Sequence, residues 1–229
     1  ERIRSIEMTI GHLHLLGQHL VNHHIRVDRS ARDWLVQFDG DELKGSAFVP
    51  YDFNSGRTLT IEMERMVLPG DDEVSDEDEP DIDPRSLPPI SIRANEFALG
   101  ERYLGAFQAE FRHTADGLVA DSIIARDETF EIVGNGGWIV DESDATGYRS
   151  FLTVTMTSTD VKRTMQRLGY EPGIVSDQLS MLLDLSWSGG PREDFMESLR
   201  GEVKIQIGTG QLDDVEPGAG RVFGLMSIV

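Results

Sequence analysis

Residues 90–111 read ISIRANEFALGERYLGAFQAEF, and residues 6–27 read IEMTIGHLHLLGQHLVNHHIRV. Laid over each other at a constant offset, the two stretches agree at their apolar positions: Ile6 with Ile90, Met8 with Ile92, Ile10 with Ala94, Leu13 with Phe97, Leu15 with Leu99, Leu20 with Leu104, Ile25 with Ala109 and Val27 with Phe111. Within each, apolar and polar residues alternate, which is the period of a half-buried strand and not of a helix. In both, the alternation slips by one residue, between Ile10 and Leu13 and between Ala94 and Phe97, as a β-bulge requires. Each turns at a glycine (Gly17, Gly100), passes through Asp-x-Leu-Val at 33–36 or 116–119, and reaches a glycine-led strand at Gly45 or Gly134. The chain therefore carries two copies of a meander. Hairpins repeated in this way stack into one continuing antiparallel sheet.

The same alternation recurs outside the matched pair, in Leu59, Ile61, Met63, in Leu152, Val154, Met156, and in Leu179, Met181, Leu183, Leu185, Trp187. Several of these strands approach ten residues, longer than the ordinary five or six, and long one-faced strands build a wide sheet. Residues 70–89 lie between the copies and hold nine carboxylates from Asp71 to Asp83. Such a segment cannot bury apolar area and reads as a mobile acidic loop. Its spacing does not match an EF-hand loop, so calcium is not expected. After the second copy, residues 160–169 carry apolar residues at helical spacing, with a cap at Ser158 or Thr159 and a closing Gly169. A second short helix is expected over residues 193–199, behind Pro191 and ahead of Gly201. The organisation reads as a first meander over 1–69, the acidic loop over 70–89, a second meander over 90–158, and a helix-strand region over 159–229 that completes the sheet.

A net charge of −20 over 229 residues argues against nucleic acid and against an anionic membrane surface, since both carry the same sign. Any lipid partner has to be met through apolar contact. With no cysteine, disulfides and thiolate metal sites are excluded. No apolar run approaches the length that spans a bilayer. The opening ERIRSIEM lacks an initiator Met and a signal sequence, and reads as the start of a piece of a longer protein.

Candidate chemistry is sparse. Gly218, Gly220 and Gly224 in VEPGAGRVFGLMSIV resemble a nucleotide-binding turn, but the chain has no room for the return strand and ribose-binding acid that such a turn needs. They read as a turn and short helix. His12, His14, His19, His23 and His24 cluster, and a hairpin brings several imidazoles together in principle. The second copy places Glu96, Ala98, Arg102, Phe107 and Gln108 near these positions, so the histidines read as a polar strand face and no metal or cofactor is expected. The acid pairs sit in turns with nothing to raise a pKa, and no nucleophile elbow is present, so no enzyme is expected.

What remains is apolar surface. On a continuous sheet Phe97, Phe107, Phe111, Trp138, Phe151 and Trp187 are expected on one side, which two short helices cannot cover. Pattern alone leaves open a sandwich core or a half-pipe whose concave face holds an apolar ligand. From about Leu87 to Ile228 the chain resembles the C-terminal region of the YhdP branch of the AsmA-like family of Gram-negative envelope proteins. The resemblance rests on the strand-turn unit at Phe97–Gly105, the helix ending Arg167-Leu168-Gly169-Tyr170, Leu185-Ser186-Trp187-x-Gly189, Ser198-Leu199-x-Gly201 and Val215-Glu216-Pro217-Gly218-Ala219-Gly220-Arg221. Residues 1–69 resemble the preceding repeat more loosely, Ser188 stands where proline is expected, and the acidic stretch looks like an insertion.

The resemblance implies a mainly β fold: a long twisted antiparallel sheet forming an open half-pipe from repeated meanders, with short flanking helices. It implies a periplasmic segment of a protein anchored in the inner membrane, carrying phospholipid toward the outer membrane with no chemistry of its own. Its partners are then phospholipid acyl chains, with contacts to both membranes made through parts mostly outside this chain. Ile10, Leu13, Leu15, Ile92, Phe97, Leu99, Phe107, Phe111, Trp138, Val154, Leu183 and Leu185 are expected to line the groove. The rival expectation is a structural or protein-docking module of the cell envelope.

Overall fold

The computed structural model describes residues 5–15, 18–68, 82–191 and 196–212, with backbone alone for 10–23 and 210–212. Long alternating stretches become long strands. The first meander gives β1 (Ser5–Leu15), β2 (Gln18–Arg29), β3 (Asp33–Asp39), β4 (Leu43–Pro50) and β5 (Leu59–Leu68). The second gives β6 (Ile90–Leu99), β7 (Arg102–Thr114), β8 (Gly117–Arg126), β9 (Phe130–Val140) and β10 (Tyr148–Ser158). Helix α1 (Val161–Arg167), β11 (Ile174–Ser176), β12 (Leu179–Ser188), β13 (Arg200–Ile207) and β14 (Gly210–Leu212) follow. Twelve strands form one open sheet in the order β1 to β10, then β12 and β13, while β11 and β14 pair separately.

Pairing is antiparallel throughout the large sheet except between β5 and β6, which run parallel from Leu59↔Ile90 to Leu68↔Leu99. This corrects the expectation of an antiparallel sheet throughout, and the cause is arithmetic. A meander of five strands ends in the direction in which it began, so two such meanders stacked by translation meet through like-directed strands. Leu68 and Ile90 then lie at opposite ends of the sheet, and the link between them is a parallel connection. The stretch that looks like an insertion is thus also the crossover. Its described end is packed: Pro84 and Pro88 are fully buried, and a 3-10 turn at Pro84–Ser86 is capped by the Asp83 carboxylate, which accepts from the Arg85 amide at 2.9 Å.

The phase break expected in the second copy is present, as the β6–β7 register shifts between Ala94 and Phe97. β5 slips at the matching place, where its register against β4 shifts between Lys44 and Gly45. Because β5 and β6 bulge together, their mutual offset stays constant. β8 slips between Ala120 and Ile123. The first copy differs from expectation: β1 and β2 keep one register from Ser5↔Asp28 to Leu15↔Gln18, so no bulge appears in their pairing.

Helix α1 caps one end of the sheet. Its N-cap is Asp160 in place of the expected Ser158 or Thr159: the Asp160 side chain accepts from the Arg163 amide at 3.1 Å, and the Asp160 amide donates to the Ser158 hydroxyl oxygen, two residues back, at 3.2 Å. Val161 and Thr164 are buried, and the Thr164 hydroxyl donates to Thr129 Oγ1 at 2.9 Å in the β8–β9 turn. Arg167 reaches Asp127 at 3.3 Å and stacks over the Tyr103 ring at 4.8 Å. Of the helix expected over 193–199, residues 193–195 lie outside the described residues, and 196–199 show a 3-10 turn at 196–197 and no α-helix. Gly218, Gly220 and Gly224 also lie outside them.

Candidate functional site: an open apolar face

Directly paired residues in a sheet share a face, so the register fixes both faces strand by strand. One face carries Ile6 and Met8 of β1, Ile25 and Val27 of β2, Val36 and Phe38 of β3, and Leu43 and Ala47 of β4. It continues through Ile61 and Met63 of β5, Ile92 and Ala94 of β6, and Phe107 and Ala109 of β7. Beyond β7 it runs through Leu118 and Ala120, Ile132 and Trp138, Val154 and Met156, and Leu183 and Leu185, to Val203 and Ile205. The bulges make this continuity possible. Without the extra residue, Phe97 and Leu99 would fall on the face opposite to Ala94.

Of the proposed lining residues, Ile92, Phe97, Leu99, Phe107, Phe111, Trp138, Val154, Leu183 and Leu185 are brought onto this one face. Ile10, Leu13 and Leu15 belong to β1, and their side chains lie outside the described residues. Phe151 is a correction. It pairs with Gly137 and Ser186, both on the polar face, because it stands one residue out of phase with Leu152, Val154 and Met156.

The face is packed sideways and open above. Its densest part is a cluster of Leu43, Met63, Ala94 and Phe97, with Phe38, Met66, Leu104 and Phe107 against it. The Phe97 and Phe107 ring centroids lie 4.5 Å apart at a 34° tilt. Among the described elements, β11 and β14 pair with each other near α1 and α1 sits at the strand ends, while at the opposite end the Pro84–Ser86 turn packs against β8 and β9 and His113 of the apolar face bonds the Leu87 carbonyl. Phe107, Phe111, Trp138, Leu183 and Leu185 are accordingly only half-buried, and on β13 Val203 remains 54% exposed. Aliphatic side chains fill the middle of the face. All three tryptophans stand toward the end opposite α1: Trp34 pairs with Arg29 and Val49, and Trp138 and Trp187 flank Ser150.

The opposite face is polar and zipped by exposed ion pairs. Arg65 meets Glu96, Arg93 meets Glu110 at 3.5 Å, and Arg112 meets Asp121 at 3.0 Å. The Arg112 guanidinium holds the Asp121 carboxyl below its usual range. Exposed pairs of this kind contribute about 0–1 kcal/mol each, so their effect is mainly to keep this face wet. At the end carrying the tryptophans, the Asp144 carboxylate accepts from the Ser188 hydroxyl and from the Thr146 amide at 2.9 Å, which lowers its pKa. Among the described residues no group of three or more His, Asp or Glu side chains converges as a metal site.

Such an arrangement can hold apolar chains along a strip of the face. A family model described as YhdP protein matches residues 2–229 of the chain. No curated protein and no solved structure matches it.

Proposed function

The chain belongs to the YhdP family, and from that premise we propose that it is a length of groove in an AsmA-like bridge for phospholipid. Acyl chains lie on the apolar face while the protein crosses the periplasm, as part of a molecule held in the inner membrane, and the lipid moves toward the outer membrane. The observation that carries this reading is the continuous apolar face of a twelve-stranded sheet over which no second described sheet is laid, the Pro84–Ser86 turn meeting it only at β8 and β9. A protein interior closes over such a face, because each buried CH₂ contributes about 0.8 kcal/mol. Acyl chains supply the same contact without a fixed shape. The work is carriage and not catalysis.

Adjacent residues of β7 test this reading. Phe107 is half-buried on the apolar face, whereas Gln108 is exposed on the polar one, opposite Arg93 and Ile124. A photo-crosslinking amino acid at Phe107 is expected to capture phospholipid in cells, and the same group at Gln108 to capture none. Equal labelling at both, or protein adducts in place of lipid at Phe107, refutes lipid carriage and leaves the docking module standing.

A further inference from the structure

The apolar face does not end alike at its two edges. Along β2 it runs from Ile25, only 6% exposed, through Val27 to Arg29, so that about 7 Å beyond a valine the face presents a cation. Arg29 pairs directly with Trp34. Its guanidinium lies 5.9 Å from the Trp34 ring centroid and 5.3 Å from that of Tyr51. The two rings meet edge to face, with centroids 5.2 Å apart at 82°. The Tyr51 hydroxyl donates to the Ser30 carbonyl at 2.7 Å, which fixes the ring over the β2–β3 turn. An arginine stacked on aromatic faces keeps its in-plane N–H donors free for an oxyanion.

Of the other arginines at this end of the sheet, Arg57 grips Asp33 with bonds of 3.0 and 2.7 Å, Arg85 grips Asp83 and Arg149 meets Asp141, while Arg32 in the β2–β3 turn has no carboxylate partner among the described residues. Arg29 has no carboxylate partner among the described residues. The second meander supplies a contrast. Its residue matching Arg29 is His113, whose Nδ1–H donates to the Leu87 carbonyl at 2.9 Å, so that the corresponding place is closed by the chain itself. The same end also carries Trp138, Tyr148 and Trp187 on the apolar face. The Trp187 N–H there donates to the Gly190 carbonyl at 2.8 Å, and the Trp138 N–H is buried.

We propose that this end of the sheet is the headgroup lip of the groove, where Arg29, held by Trp34 and Tyr51, binds the phosphate of a phospholipid whose chains lie on the apolar face. The assignment rests on the reading of the face as an acyl-chain groove. It adds which lip meets the headgroup and that a phosphate oxyanion is what is recognised. Chains then run from Val27 and Val36 toward the Phe97 cluster, and headgroups stay in water along the opening.

The test compares two monomeric probes with the same chains, dioctanoyl phosphatidylglycerol and dioctanoylglycerol, titrated onto the full chain and read by native mass spectrometry. The phosphate-bearing lipid is expected to bind the unaltered protein about ten-fold more tightly, the size of one charge-assisted contact. Arg29→Ala should abolish that preference without changing dioctanoylglycerol binding. Arg29→Lys should recover part of it, and Arg26→Ala, on the polar face, should leave it intact. A preference that survives Arg29→Ala, or falls equally in Arg26→Ala, overturns the lip while the groove stands. Displacement of the lipid by millimolar inorganic phosphate also overturns it, making the cluster a site for free phosphate. If neither probe binds any variant, the groove reading fails and takes the lip with it.

Discussion

Placing one carboxyl group on either side of the sheet measures what the apolar face is worth. Val154 lies on that face, opposite Gly134 and Leu183, and is 9% exposed. Thr155 is exposed on the other face, opposite Val133 and Leu182. In Val154→Asp the new group need not be buried charged, because it can take a proton. Protonating it costs about 1.4 kcal/mol for each pH unit above its ordinary pKa near 3.9, hence about 4 kcal/mol at pH 7. Loss of the valine's own burial adds about 1.5 kcal/mol. The sum at pH 7 is about 5–6 kcal/mol, an upper bound for a face open to water.

The sign of the pH dependence follows. A carboxyl whose pKa is higher in the folded than in the unfolded state makes the folded protein bind more protons, so stability falls as pH rises through that interval. The loss in Val154→Asp should therefore shrink by about 2–3 kcal/mol between pH 7 and pH 5. Thr155→Asp should change stability by less than about 0.5 kcal/mol at either pH. Urea unfolding followed by circular dichroism at both pH values reads all of these. Equal losses at the two sites, or a Val154→Asp loss that ignores pH, refutes the argument that the faces differ in environment.

Two further outcomes are expected. Phe97→Ala and Phe107→Ala should be non-additive by about 0.5–1.5 kcal/mol in a double-mutant cycle, because their rings touch beyond simple area burial; coupling near zero contradicts the packed cluster. Asp144, whose pKa is lowered chiefly by the Ser188 hydroxyl, contributes stability that is present above its unfolded pKa and lost as pH falls below about 4. Acid unfolding of Asp144→Asn should accordingly be shallower than that of the unaltered protein, and identical acid limbs would count against the bond.

The sequence by itself determined the strands and the composition of their faces, because side chains on a strand alternate whatever the strand lies beside. Ile90, Ile92 and Ala94 announce one face, and the step to Phe97 announces the bulge. Phe151 is legible there as well: it stands out of phase with Leu152, Val154 and Met156, and that parity places it on the polar side although it is as apolar as they are. The crossover was half visible, since two matched copies imply stacking, but the direction in which they meet depends on how many strands each contains.

Only the tertiary structure decided the rest. Residues such as Arg29, Trp34 and Tyr51 come from a strand end, a strand start and the residue after a third strand, and no local period links them. Register between neighbours brings them together, and register is a property of pairing. The missing bulge between β1 and β2 has the same origin: the sequence of one strand permits a phase break, but whether it forms is settled by the partner, which here runs opposite β1 without a shift.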